Sequence, residues 1–140
     1  MTDIEKKSGA PADLVAAAQA AQKNAYAPYS NFHVGTALRT EKGAIIPGCN
    51  VENAAYPEGV CAEAGAISAM VLSGERKFSE IVVVGMGDMA CTPCGGCRQK
   101  IREFTGPDAL IHIVTEDGRH LFTLTREELL PHSFGPENLK

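Results

Sequence analysis

The chain has 140 residues, a length for one domain (residues 1–140) whose hydrophobic core needs no disulfides. Its 13 basic and 17 acidic side chains leave a formal charge of -4, with no basic tail or Lys/Arg cluster, which argues against tight non-specific binding to a nucleic acid backbone. No stretch reaches the about 18 apolar residues of a membrane span, the start MTDIEKKSGA does not resemble a secretory signal, and five cysteines, three of them in a metal-like arrangement, fit a reducing cytosol.

Residues 1–10 read as a loose, polar start. Pro11 suits a first helical position and Asp13 the positive helix end. Leu14, Val15, Ala18, Ala21, Gln22 and Ala25 then recur at helical spacing, which predicts an alanine-rich helix ending at Ala27-Pro28. A turn through Tyr29-Ser30-Asn31-Phe32 leads into strands over 33–39 and 44–49, with a hairpin turn at Thr40-Glu41-Lys42-Gly43. His33 reads as a structural histidine. Pro47 places the second strand at a sheet edge or bulge. In the extended segment that follows, Asn50 and Glu52 project from the same side. They are either a solvated strand end or a donor–acceptor pair suited to vicinal hydroxyls, and their closeness to the next cysteine favours the second reading.

Residues 62–72 predict a helix, stopped by Ser73-Gly74, with Cys61 at its N-terminus, where oriented amides favour a thiolate. The β-branched run 80–86, EIVVVGM, predicts a central strand covered on both faces. A helix opens near Cys97-Arg98-Gln99 and ends near Gly106-Pro107. Strands follow at 109–114 and 120–124. Thr125-Arg126-Glu127-Glu128 has the capping-box pattern before a last short helix. Helices interleaved with strands imply a sheet with helices on its faces.

Two pieces carry the chemistry, Cys61-Ala62-Glu63 and Pro93-Cys94-Gly95-Gly96-Cys97. Together they resemble the signature of zinc deaminases acting on nucleobases, in which three Cys or His side chains hold the metal and a Glu moves protons without binding it. Three thiolates leave the fourth tetrahedral position open for water. Cys91 has a possible ligand spacing to Cys94, but Pro93 stiffens the approach and a fourth thiolate would close that position. Three other readings remain: a structural zinc site, inert buried thiols, or a redox Cys-x-x-Cys. The redox pair gives Glu63 no task.

Across most of its length the chain resembles the cytidine deaminase family, the short homotetrameric type with three zinc-binding cysteines. The resemblance rests on Tyr29-Ser30-x-Phe32, Val34-Gly35, the stretch Gly48 to Tyr56, both cysteine motifs through Arg98-Gln99, and Leu129-Leu130-Pro131 through Phe134-Gly135-Pro136. It implies a three-layer αβα sandwich with a mixed five-stranded sheet. It also implies hydrolytic deamination of cytidine and deoxycytidine to the uridine forms and ammonia. One zinc ion per chain would sit on Cys61, Cys94 and Cys97, with Glu63 as proton shuttle between water, ring N3 and the departing amino group. Asn50 and Glu52 would take the ribose 3'-hydroxyl. Phe32 would lie against the pyrimidine, with Ala62 and Pro93 as further base contacts. Ala54, Tyr56 and Phe134 would help complete the pocket of a neighbouring subunit. The implied setting is a cytoplasmic homotetramer taking a free nucleoside, with neither a nucleic acid polymer nor a membrane as partner.

The chain departs from the family pattern at Ala64, where many relatives carry an arginine that touches the zinc thiolates. Three thiolates and one Zn²⁺ sum to -1, which weakens the metal as a Lewis acid. Arg98, beside Cys97, is the remaining arginine expected to turn back to a ligand sulfur. A blasticidin-type aminonucleoside deaminase shares the zinc motif, but Asn50 through Tyr56 favours the cytidine enzymes. A zinc-stabilised interaction domain is the alternative without turnover.

Overall fold

The computed structural model describes residues 9–139. Of the loose start expected over residues 1–10, the first eight residues lie outside the described ones. Along the chain come α1 (Ala12–Gln22), β1 (Gly35–Thr40), β2 (Ile45–Cys49), α2 (Ala62–Leu72), β3 (Phe78–Val84), α3 (Gly95–Glu103), β4 (Leu110–Val114), β5 (His120–Thr125) and α4 (Arg126–Leu129). Short 3-10 turns lie at Tyr56–Glu58 and Pro136–Leu139. No helix among the described residues is long and apolar enough to cross a membrane.

The strands form one sheet in the order β2-β1-β3-β4-β5. β3 and β4 run parallel, joined through α3, and every other pairing is antiparallel, so the sheet is mixed as expected. The β-branched run is its central strand. Ile81, Val82, Val83 and Val84 are all fully buried and alternate between the two faces. Val82 and Val84 meet Leu14 and Ala18 of α1. Ile81 and Val83 meet Ala66, Ile67 and Met70 of α2, Ile101 of α3 and Leu129 of α4. The result is three layers, helix over sheet over helix. Pro47 lies in β2, an edge strand, where its missing N–H costs no ladder bond on the open side.

Two glycines allow the layers to close. A Cβ on Gly35 would stand 2.1 Å from the Ala18 carbonyl oxygen of α1, and one on Gly48 would stand 2.5 Å from that of Ala62 in α2. Each helix therefore rests directly on strand backbone. The contact at Gly48 fixes the start of α2, the end that carries Cys61 and Glu63. The capping box forms as the spacing predicts: Glu128 N–H donates to Thr125 Oγ1 at 3.2 Å and Thr125 N–H to Glu128 Oε1 at 2.9 Å.

Two helices end earlier than the sequence suggests. α1 stops at Gln22 rather than at Ala27-Pro28, because the chain leaves the helix to bridge Val51. Tyr26 N–H donates to Asn50 O at 2.9 Å and Glu52 N–H to Tyr26 O at 2.8 Å. α3 stops at Glu103 rather than near Gly106, because Phe78 N–H of β3 takes the Phe104 carbonyl at 3.0 Å. The Thr105 hydroxyl also occupies the Ile101 carbonyl at 2.6 Å.

A polar row crosses the α1 face. Asp13 pairs with Arg39 at 2.8 Å, Arg39 with Glu80 at 3.1 Å, Glu80 with the buried His112 at 2.9 Å, and His112 with Thr123 at 2.8 Å. The His112 hydrogen bond, followed by that of Arg39, holds the Glu80 carboxyl below its ordinary range against the opposing effect of burial. A depressed carboxyl adds stability above its unfolded pKa and loses it as pH falls through the folded one. Glu80→Gln is therefore expected to lower the urea midpoint at pH 7, with the difference from the parent narrowing below about pH 4. Denaturation curves taken from pH 7 to 3 measure this, and a constant difference would remove Glu80 as the titrating group.

Candidate metal centre and active site

Both cysteine motifs sit at helix starts, as their spacing predicts. Cys61 is the N-cap of α2 and Cys94 the N-cap of α3, and neither sulfur is spent on capping its own helix. Cys97 lies in the first turn of α3 and is buried. The sulfurs of Cys61, Cys94 and Cys97 lie within 4.8 Å of one another, with Cys61 and Cys94 at 3.8 Å. Tetrahedral coordination with metal–sulfur bonds of about 2.3 Å requires sulfurs about 3.8 Å apart. The trio can thus hold a metal ion and leave one position open. Cys91 is outside the trio and packs against the core. Burial pushes its thiol up to about 11, as suits an inert wall.

The electrostatics of the trio differ from the expectation for Cys61. Burial raises the Cys61 thiol, against a hydrogen bond with Cys97 that lowers it. Cys94 is instead held low, first by a backbone hydrogen bond from Cys97. Burial raises Cys97 strongly. A bound divalent cation inverts this order, because it deprotonates the thiols that coordinate it. Glu63, in the first turn of α2, is only 4% exposed. Burial raises its carboxyl, opposed by its own backbone N–H, a hydrogen bond with Cys97 and the charge of Lys100. A buried carboxyl raised in this way keeps a proton more readily than a free one, as a group that takes up and returns a proton must.

Arg98 does not reach a ligand sulfur, contrary to the expectation that it offsets the thiolate charge. Its Nε donates to Pro93 O at 2.9 Å, Nη1 to Leu129 O at 2.9 Å and Nη2 to Thr92 Oγ1 at 3.4 Å. All three guanidinium nitrogens are spent on tying the loop before Cys94 to the end of α4. Arg98 therefore positions Pro93 and Cys94 through backbone. The cation that acts on Glu63 is Lys100, whose ammonium folds back toward Gly96 at the start of α3.

The remaining site residues surround one loop, Tyr29–Val34. Glu52 accepts from Tyr29 N–H at 3.0 Å and Ser30 N–H at 3.1 Å, and also bonds the Ser30 hydroxyl. The Ser30 hydroxyl leads the interactions that hold the Glu52 carboxyl below its ordinary range. Asn50 accepts from Val34 N–H and donates to Phe32 O, both at 2.8 Å. Asn31, at φ 59, takes the left-handed turn that presents Phe32. Glu52 lines a cleft of about 380 Å³ with Tyr29, Ser30, Asn53, Tyr56 and Gly59. Asn50 is not among the residues that line it.

Ala62 and Pro93 are buried beside the cysteines. The Phe32 ring edge comes within 3.5 Å of where a Cβ on Gly85 would stand, and Cys91 within 2.4 Å. Gly85 was no candidate in the sequence, yet a side chain there would displace Cys91 and stand in contact with the Phe32 ring. Ala54, Tyr56 and Phe134 are exposed, Tyr56 by 77% and Phe134 by 58%. Gln99 Nε2 holds the Phe134 carbonyl at 2.9 Å.

Three thiols able to coordinate a metal ion thus converge at paired helix starts on an αβα sandwich, with the buried Glu63 in the first turn of one of those helices. The family model described as the cytidine and deoxycytidylate deaminase zinc-binding region matches residues 10–113. A cytidine deaminase of Sporosarcina psychrophila is 39% identical over 137 residues, 98% of this chain and 95% of that protein. A probable cytidine deaminase of Dictyostelium discoideum is 40% identical, covering 88% and 82%. The crystal structure of cytidine deaminase from Burkholderia pseudomallei superposes with a TM-score of 0.82 at 41% identity, covering 87% of this chain and 97% of that one. The chain belongs to the cytidine deaminase family.

Proposed function

We propose that the chain, as one domain over residues 1–140, is a zinc-dependent hydrolase. It converts cytidine and deoxycytidine to uridine and deoxyuridine with release of ammonia, a step of pyrimidine salvage. The observation that carries this reading is the buried Glu63 beside three converging thiols in a chain of this family. Cys61, Cys94 and Cys97 hold one zinc ion, which when bound polarises water for attack on C4 of the base.

The chain's own residues do the rest. Glu63 takes a proton from water, gives it to ring N3, and then helps protonate the departing amino group. Phe32 lies against the pyrimidine, and Ala62 and Pro93 exclude water around it. Glu52 and Asn50 accept and donate at the sugar hydroxyls, using the capacity left beyond their bonds to the loop. Ala54, Tyr56 and Phe134 reach a neighbouring subunit's pocket in a cytoplasmic homotetramer, which accounts for large apolar rings left exposed on one chain. The net charge of -4 favours a free nucleoside over a polymer.

Zinc-loaded protein incubated separately with cytidine, deoxycytidine, cytosine and blasticidin should release ammonia readily from the first two. Preference for blasticidin would favour the aminonucleoside alternative. Stoichiometric zinc without any turnover would leave a structural zinc domain.

A further inference from the structure

We propose that Gln22 is a positioning residue for the substrate's base: its carboxamide fixes the two backbone segments, at His33 and Gly85, between which the Phe32 ring is mounted and against which it rests. The inference rests on the reading of Phe32 as a pyrimidine contact. Gln22 is the last residue of α1 and is only 6% exposed. Its Nε2 donates to His33 O and to Gly85 O, both at 3.0 Å. These carbonyls belong to two chain segments that have just ceased to pair, since the β1–β3 ladder has its final partners at Gly35 and Val84.

Beyond that pair the regular ladder ends: Val34 N–H turns to Asn50 Oδ1 at 2.8 Å, and His33 N–H crosses to the Met86 side chain, with Sδ at 3.2 Å. Two carbonyl oxygens facing one another repel, and the two hydrogens of one NH₂ group between them reverse that interaction. The amide, beside the His33 N–H to Met86 Sδ bond, thus holds the segments at a fixed separation where the ladder no longer does. Phe32 directly precedes His33, and its ring edge lies against Gly85. Gly85 in turn abuts Cys91, three residues before Cys94. Gln22 therefore spans from the backbone that carries the aromatic ring to the strand end that leads to the metal thiols. Misplacement of a positioned group by about 1 Å can cost roughly 100-fold.

The test is a double-mutant cycle of Gln22→Met, which keeps length and loses both donors, against Phe32→Ala. Steady-state kinetics with cytidine are read alongside metal content and melting temperature. Gln22→Met is expected to raise KM by about tenfold with kcat within about twofold, the pattern of lost ground-state positioning. In the Phe32→Ala background the same change should add less than about twofold. If Gln22→Met does not fold, Gln22→Asn serves in the same cycle. Its shorter amide reaches one carbonyl, and it should raise KM by about threefold. An unchanged KM, or an equal rise in both backgrounds, overturns the proposal. If Phe32→Ala alone leaves KM unchanged, Phe32 does not touch the base and Gln22 has nothing to position. A parent protein inactive on cytidine would be a failure of the functional reading itself, and it shows in the parent arm alone.

Discussion

Glu63→Gln is expected to keep the fold and the metal and to lose roughly 10² to 10⁴ in turnover. Glutamine has nearly the same volume, so the tight start of α2 against Gly48 is undisturbed. It is not a ligand in the thiol trio, so metal content should stay at the parent ratio. What is lost is a group able to accept and return a proton at a position only 4% exposed, where bulk water cannot easily substitute. Burial raises the carboxyl's pKa, so the neutral amide should also relieve a charge that the site must otherwise tolerate. The variant is accordingly expected to melt no lower than the parent. Single-turnover assays with metal analysis check both statements, and a fall of less than about tenfold would end the proton-shuttle role.

Cys94→Ala is expected to remove the metal. Two thiols cannot complete the proposed zinc site, and turnover should fall by more than about 100-fold, the upper range for losing a mere outer-shell partner. Cys91→Ala is the matched control. It removes a thiol from the same loop, but one that packs on the core outside the trio, so the zinc ratio should remain near one per chain. Metal analysis of the two purified variants decides between three ligands and four. Stoichiometric zinc and normal activity in Cys94→Ala would rule the assignment out.

What the sequence made legible was set by local chemistry. The run Ile81 to Val84 reads as a doubly covered strand because neither face carries a polar residue. The capping box of Thr125 and Glu128 closes within four residues, and the cysteine spacing places both motifs at helix starts whatever the tertiary detail. Misreadings arose where a distant partner decides. Pro28 is a local stop signal, but α1 had already ended because Tyr26 bridges Val51. Arg98 sits beside Cys97 in the chain, yet the helix carries its guanidinium toward Pro93 O and Leu129 O. Cys61 occupies a helix N-terminus, but its burial, visible only in the folded chain, leads the effects on its thiol and raises it. The packing roles of Gly48 and Gly85 had a weak signal, glycine in or beside a strand. The atoms that forbid a side chain come from α2 in one case and from Cys91 in the other.

The thiol trio joins two helices that are far apart along the chain, since Cys61 and Cys94 are 33 positions distant. An ion held between them is a cross-link as well as a reagent. It would close a loop that contains all of α2 and all of the central strand, and the unfolded chain would have to forgo the freedom that this closure removes. For a covalent link of that span the effect is about 4 kcal/mol, comparable to much of the stability of a small domain. A chelator should therefore lower the melting temperature even of a catalytically dead variant. Refolding from denaturant should be faster, and its yield higher, when the ion is present from the start than when it is added after collapse.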